Sequence, residues 1–300
     1  MDKILITGAT SVIGRSILQA NVINQKKLLL LVSSERKGLE LIKTYGLADA
    51  EIAVILPDFP IQEVIDFNPE VALHLAGYTS NSLLPQEVIK LVDANINFGS
   101  LLLTSLKGTN LKYFINVGSG MEFGDNSTEL APSNFYAATK LAFRTILDYF
   151  SKTMNFQLFQ VNVYFVYGEK GARKKVIDYL LDGKEAEVPI KMSPGEQCLD
   201  FIHINDVVAF FSKLLLNLEK SEDNYTQFFV GSGKSHTIKE VAKVIEKIIH
   251  QKLNLEWGGI PYRKEEIMLS TAPQKNNPKF LNWKPVIELE EGLQLYLNNY

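Results

Sequence analysis

The stretch Ile4-Leu5-Ile6-Thr7-Gly8-Ala9-Thr10-Ser11-Val12-Ile13-Gly14 decides the fold. A short apolar run ends at Gly8, and helical spacing begins at Val12 and continues to about Asn24. A strand that turns on glycine into a helix aims backbone N–H groups and a helix N-terminus at a phosphate. Gly8 permits the tight turn, and Gly14 lets the helix approach the strand. Ser11 stands where a glycine usually lets the phosphate come closest. Its Cβ narrows that space, although its hydroxyl can donate to an anion. The same spacing also serves a plain strand–helix turn, and its place between the first strand and the first helix favours a dinucleotide site.

Outward from this turn the chain alternates. Leu28–Val32, Glu51–Leu56, Val71–Ala76, Tyr113–Val117 and Gln157–Tyr164 read as strands. Leu39–Tyr45, Pro85–Lys107 and Phe135–Thr153 read as helices. Short apolar strands alternating with helices predict an α/β fold, a doubly wound parallel sheet of the Rossmann type covered on both faces. Residues 1–168 form that expected dinucleotide-binding domain. Beyond Gly168 the strands shorten and the loops lengthen. Asn205–Asn217 and Thr237–His250 keep helical spacing, with polar residues placed to cap them. Residues 169–300 are expected to be mainly a smaller α/β substrate domain, with some segments able to return to the sheet and a cleft between the two.

Composition narrows the function. The 300 residues are 46% apolar and 22% charged, an ordinary globular balance. A net charge of −3 gives no support to binding nucleic acid or an anionic membrane through bulk charge. One cysteine, Cys198, allows no internal disulfide, and four scattered histidines show no metal spacing. The N-terminus lacks a signal-peptide layout and no apolar run spans a bilayer, so a cytoplasmic protein is expected.

Tyr136-Ala137-Ala138-Thr139-Lys140 puts Tyr136 and Lys140 on one face of a helix, and Ser119 follows the fifth strand. A tyrosine can protonate a developing alkoxide, a nearby lysine can pull its pKa down, and a serine hydroxyl can orient the carbonyl oxygen. Alone, a Tyr–Lys pair is a common surface feature; with the phosphate turn and Ser119 in order it reads as a catalytic set. After the second strand, Ser33 and Ser34 precede Glu35, Arg36 and Lys37. Small hydroxyls beside cations suit a 2′-phosphate and favour NADP(H), while Glu35 leaves NAD(H) open.

These motifs resemble the extended short-chain dehydrogenase/reductases of the NAD-dependent epimerase/dehydratase family, over essentially the whole chain. Within it, Gly195-Glu196-Gln197, Asp200–Asp206, Glu266-Ile267-Met268, Phe229–Gly233 and Asn282–Pro285 look most like the CDP-abequose and CDP-paratose synthases, which are nucleotide-sugar 4-ketoreductases. The resemblance implies that Ser119, Tyr136 and Lys140 are catalytic. It also implies cofactor contacts from Gly8, Thr10, Ser11, Val12, Ile13, Gly14, Ser33, Ser34, Arg36, Asp58, Phe59, Leu75, Ala76, Gly77, Asn95 and Val166, together with Tyr136 and Lys140. Thr79, Ser119 and Arg263 are the implied substrate contacts, and no metal is implied. The implied substrate is a CDP-, dTDP- or GDP-linked sugar, and long helices like these form a homodimer interface in the family. The chain departs from the family pattern at Asn162, Phe165, Leu199 and Phe98-Gly99.

The Asp-Glu pair that 4,6-dehydratases carry directly after the catalytic hydroxyl is replaced by Gly120-Met121, neither of which moves a proton. A reductase is therefore expected, with an NAD-retaining 4-epimerase as the alternative and a non-catalytic dinucleotide sensor behind both. His74 is read as structural, satisfying a backbone group, and Glu122 as a loop-surface carboxylate. Cys198, Trp257 and Trp283 are read as packing residues.

Overall fold

A computed structural model describes residues 1–56, 58–124 and 128–298. Strands β1 (Lys3–Thr7), β2 (Lys27–Val32), β3 (Ala50–Val54), β4 (Val71–His74), β5 (Tyr113–Ser119) and β6 (Gln157–Val163) alternate with helices. These are α1 (Val12–Gln19), α2 (Glu35–Tyr45), α3 (Ile61–Phe67), α4 (Pro85–Val92), α5 (Phe98–Ser105) and α6 (Phe135–Met154). The second half adds β7 (Phe165–Tyr167), α7 (Val176–Asp182), β8 (Ile190–Met192), β9 (Cys198–His203), α8 (Ile204–Leu215) and β10 (Tyr225–Val230). It ends with β11 (Ser235–Thr237), α9 (Ile238–Ile249), β12 (Leu255–Trp257), β13 (Leu269–Ser270) and α10 (Leu289–Asn298).

The main sheet runs β10-β6-β5-β4-β1-β2-β3, and every pairing in it is parallel. Alternate residues of its central strands feed two cores. Ile4, Ile6, Leu28 and Leu30 pack with Ile17, Leu41 and Phe210 on the side of α1, α2 and α8. Leu5 and Leu29 pack with Val64, Leu102 and Phe143 on the side of α3, α5 and α6. Burial on both faces explains the unbroken apolar run of β2, and each such side chain contributes about 1.5–3 kcal/mol. The strand order reverses between β1 and β4, which opens a crevice at their carboxyl ends. β10 comes from beyond residue 168, yet it pairs with β6 and closes the sheet.

The outer lobe holds a small sheet, β11-β9-β13 with β7 also on β9, over a core that includes Ile177, Leu180, Phe201, Val241 and Leu293. Two buried aspartates tie its loops together. Asp200 accepts from Ser232 N and Ser232 Oγ at 2.6 Å, and from Gly233 N and Ala272 N at 2.9 Å. Asp206 accepts from Val286 N at 3.1 Å and Ile287 N at 3.0 Å.

Four expectations shift. The first helix stops at Gln19 rather than near Asn24, because Asn21 takes a left-handed conformation (φ 58°). The helix α3, bounded by Pro60, was not expected. β4 ends at His74 and the chain peels away at Leu75–Ala76 to floor the crevice. The stretch expected as one helix, Pro85–Lys107, is split by a π-helical turn at Asp93–Asn97. The extra residue in that turn rotates Asn95 inward, as such bulges often do at functional sites.

Candidate active site

The crevice is built by the loops that follow β1, β4 and β5. Gly8 adopts φ 70°, and a Cβ there would lie 2.6 Å from Ala76 N, so this turn at the switch point requires glycine. A Cβ on Gly14 would lie 2.5 Å from Gly8 O, which fixes how closely α1 sits on the turn. Ser11 N donates to Gly8 O at 2.9 Å, and Ser11 Oγ accepts from Gly14 N at 3.1 Å. The serine therefore caps α1, and its hydroxyl hydrogen stays available to an anion. The amides of Val12 and Ile13 begin the helix and have no intrahelical acceptor. This geometry is a cradle for a phosphate group, and it fits a nicotinamide dinucleotide.

At the far end of β2, Ser34 occupies the N-cap position of α2 without making a side-chain capping bond. Ser33, Arg36 and Lys37 beside it are exposed. Asp58 is exposed as well, while Phe59 packs on Phe98 with ring centroids 5.5 Å apart.

The loop after β4 gathers the next group. Asn95 is buried; its Nδ2 donates to Tyr78 O and Thr139 Oγ1 at 2.9 Å, and its Oδ1 accepts from Tyr78 N at 2.8 Å. Lys140 Nζ donates to Val117 O at 3.1 Å and Ala76 O at 3.4 Å. A Cβ on Gly77 would lie 2.9 Å from that Nζ and 3.1 Å from Asn95 Oδ1. Gly8, Ala76, Gly77, Asn95 and Lys140 thus meet at one place. Leu75, Val12 and Ile13 pack against the core that holds Val166.

Ser119 ends β5 and starts a short 3₁₀ turn, Gly120–Glu122. Its Oγ accepts from Met121 N at 3.2 Å, and its hydroxyl also bonds the Tyr136 phenol. Tyr136 begins α6, where Asn134 Oδ1 caps the helix by accepting from Ala137 N at 2.9 Å. The Tyr136 phenol is raised above its ordinary value, first by burial and then by the Glu122 carboxylate, while hydrogen bonding with Ser119 acts in the opposite sense. The Lys140 ammonium, expected to pull the Tyr136 phenol down, bonds the Ala76 and Val117 carbonyls. Burial lowers Lys140 to about 8, and Glu122 opposes that shift.

Two other readings are corrected. His74 is buried, but its Nδ1 pairs with the Thr7 hydroxyl at 2.8 Å rather than with backbone. Burial lowers its pKa to about 3, with Lys140 adding to the shift, so it is a neutral residue of the core. Glu122 is not on a loop surface. It is 0% exposed, and its Oε1 accepts from Ser119 N at 2.7 Å.

Sequence reading also missed the loop after β7. Glu169 accepts from Arg15 Nη2 at 2.9 Å and from Ser16 Oγ at 2.6 Å, beside the phosphate turn. Arg173 donates to Thr79 O and Tyr78 Oη, and its guanidinium lies 4.3 Å from the Tyr78 ring centroid. The segment therefore reaches from α1 to the β4 loop. Arg263 is exposed, and no hydrogen bond or ion pair of its guanidinium ties it to the Ser119–Tyr136 site among the described residues. Among the described residues there is no cluster of three metal-ligating side chains, and no helix long and apolar enough to cross a membrane.

Comparison with known proteins agrees with this geometry. Residues 4–231 match the family described as the NAD dependent epimerase/dehydratase family. The chain is 27% identical to CDP-abequose synthase of Yersinia pseudotuberculosis, covering 91% of this chain and 93% of that protein. It is 28% identical to CDP-abequose synthase of Salmonella typhimurium, covering 98% and 96%. The fold superposes with a TM-score of 0.85 on UDP-glucuronic acid 4-epimerase from Bacillus cereus in complex with UDP-glucuronic acid and NAD. That match has 19% identity and covers 99% of this chain and 100% of the other.

Proposed function

Because the chain belongs to the NAD dependent epimerase/dehydratase family, we propose that it is a reductase of a nucleotide-linked 4-keto-6-deoxyhexose or 3,6-dideoxyhexose, acting at C4 with NADPH. The observation that carries this reading is the state of the crevice around Ser119. A phenol, a hydroxyl and an ammonium converge there, and the Glu122 carboxylate is fully buried against the Ser119 amide. Elimination of water needs an acid and a base facing the sugar, and this site presents neither at the two positions after Ser119.

The bound dinucleotide would supply hydride to the C4 carbonyl. Ser119 donates its hydroxyl hydrogen to the carbonyl oxygen and holds it in place. Tyr136, kept protonated by its surroundings, donates its proton to the developing alkoxide. Lys140 and Asn95 line the place that suits the nicotinamide ribose, and the turn from Gly8 to Gly14 suits the pyrophosphate. Ser33, Ser34, Arg36 and Lys37 favour a cofactor with a 2′-phosphate. The names of the two synthase relatives support the deoxysugar class. Arg263 is assigned to the nucleotide diphosphate and Thr79 to the sugar, both as part of this reading. Exposed Leu84, Ile89 and Leu101 along α4 and α5 support a homodimer.

The test begins with mass spectrometry of dinucleotide released from freshly purified protein, followed by turnover of CDP-, dTDP- and GDP-linked 4-keto sugars. NADP(H), or an empty protein that prefers NADPH, together with reduction at C4 is the expected result. Stoichiometric NAD that survives dialysis, with interconversion of C4 epimers, would replace the reductase with a 4-epimerase.

A further inference from the structure

Glu122 is a carboxylate that the proposed reaction leaves without a role, and its surroundings are unusual. Oε1 accepts from Ser119 N at 2.7 Å, whereas Oε2 is buried and has no hydrogen-bond partner among the described residues. The carboxylate folds back over Gly118. A Cβ on that glycine would lie 2.4 Å from Glu122 Oε1, 2.3 Å from Gln160 Nε2 and 2.8 Å from Asn162 Nδ2. The backbone thus makes room for an acidic group beneath the crevice. A buried carboxylate is costly unless it is balanced by charge and hydrogen bonds. Burial raises the Glu122 carboxyl above its ordinary value, and the Ser119 amide, the α6 cations Lys140 and Arg144, and Asn162 act in the opposite sense.

We infer that Glu122 is a positioning residue of the active centre, whose carboxylate fixes the Ser119 backbone and balances the buried positive charge of Lys140. The inference rests on the reductase reading only for its catalytic readout.

The charged and titratable groups around Glu122 are few. From α6 come Tyr136, Lys140 and Arg144. From β5 there is Ser119, and from β6 only the amides of Gln160 and Asn162. Tyr164 packs beneath Gly120, and Tyr225 on β10 also responds to Glu122. Further out, Arg144 Nη2 donates to Gln227 Oε1 at 2.9 Å, Gln227 Nε2 to Asn162 Oδ1 at 3.2 Å, and Asn162 Nδ2 to Ser119 O at 3.3 Å. Ser119 is therefore held at its amide by Glu122 and at its carbonyl by a chain of amides that ends on Arg144. Burial lowers Lys140 to about 8, and Glu122 acts in the opposite sense.

The experiment follows Lys140 directly. Trace acetylation of cofactor-free protein across pH 6–10, read by peptide mass spectrometry, gives its titration midpoint without any substrate. In E122Q, which keeps an acceptor for the Ser119 amide, the midpoint is expected to fall by about one pH unit. In E122D, which keeps the charge, it stays near the wild-type value. Should E122Q fail to fold, Gly118→Ala displaces the same carboxylate and is expected to lower the midpoint.

With a 4-keto sugar that the wild type reduces, kcat of E122Q falls about tenfold at the alkaline end and converges on wild type toward pH 6, with KM little changed. An unmoved midpoint in E122Q, or a loss of rate equal at every pH, overturns the inference. A wild type that reduces none of the keto sugars, but whose Lys140 midpoint still falls in E122Q, removes the reductase reading and leaves Glu122 in its place.

Discussion

Each half of the chain buries acidic side chains, Glu122 in the crevice and Asp200 and Asp206 in the outer lobe, and they differ in how fully their oxygens are engaged. In the outer lobe, Asp200 accepts four hydrogen bonds and Asp206 two, all but one from backbone amides. In the crevice, Glu122 keeps an oxygen without a hydrogen-bond partner among the described residues, and Tyr136 keeps its proton beside the Ser119 hydroxyl that it bonds. The lobe aspartates lie in the segment that looks most characteristic of the family, yet they act as clamps. Asp200 ties β9 to the turn before β11 and to the segment that follows β13, and Asp206 ties α8 to the approach to α10. A filled polar group holds architecture, and an unfilled one beside a cleft is available for chemistry.

The largest effect expected from this contrast is on the crevice side. Tyr136→Phe removes the donated proton and the bond to the Ser119 hydroxyl, so turnover of a keto sugar should fall by about a thousandfold. NADPH binding and melting temperature should stay near wild type. Retained turnover would break the contrast by showing that the unfilled group is idle. The converse variant is Asp200→Ala. It leaves four donors without an acceptor inside the lobe, so denaturant unfolding should show a loss of about 3 kcal/mol. Whatever folds should retain an unaltered pH profile. A change in that profile with little loss of stability would move Asp200 to the side of chemistry.

The contrast also explains what could be read from sequence. Leu28–Val32 can only be a strand buried on both faces, and Gly8 can only be a tight turn, so the sheet and the glycine turn at its switch point were legible. Tyr136 and Lys140 were legible because one helix fixes their spacing. Glu122 was hidden because its burial depends on the missing Cβ of Gly118 and on amides from β6. Its signal was present in Ser119-Gly120-Met121-Glu122, a capping-box pattern in which the fourth residue reaches back to the first amide. Arg173 could not be found this way, because its partners Tyr78 and Thr79 lie nearly a hundred residues earlier. The inward rotation of Asn95 required a π-helical turn, which a 3.6-residue period conceals.

His74 sharpens the comparison through pH. Its nitrogen is engaged by Thr7 and its ring lies 5.2–5.9 Å from Phe143, Phe98 and Phe114, so it belongs with the filled groups. Its folded pKa, about 3, lies below the ordinary 6.5. The unfolded chain therefore takes up a proton that the folded chain refuses. The stability this provides is complete above pH 6.5 and is lost as pH falls toward 3, at up to about 1.4 kcal/mol per unit. At pH 5 the loss relative to neutral pH should be about 2 kcal/mol. Unfolding of His74→Leu should lack that component, and an unchanged slope in the variant would place the titration elsewhere.

The smallest effect concerns the cofactor end, where nothing is filled. Ser34 caps no amide, and Arg36 and Lys37 are exposed beside it. An exposed guanidinium contributes little to the fold, so Arg36→Ala should leave the melting temperature within error of wild type. A 2′-phosphate is the group that arginine recognises in bidentate fashion, and that contact exists only when the ligand is bound. Affinity for NADPH should therefore fall about tenfold with NADH affinity unchanged, as read by fluorescence titration of both. Equal losses for the two cofactors would mean that Arg36 senses the pyrophosphate or the adenine. The choice of cofactor would then rest on Ser33, Ser34 and Lys37.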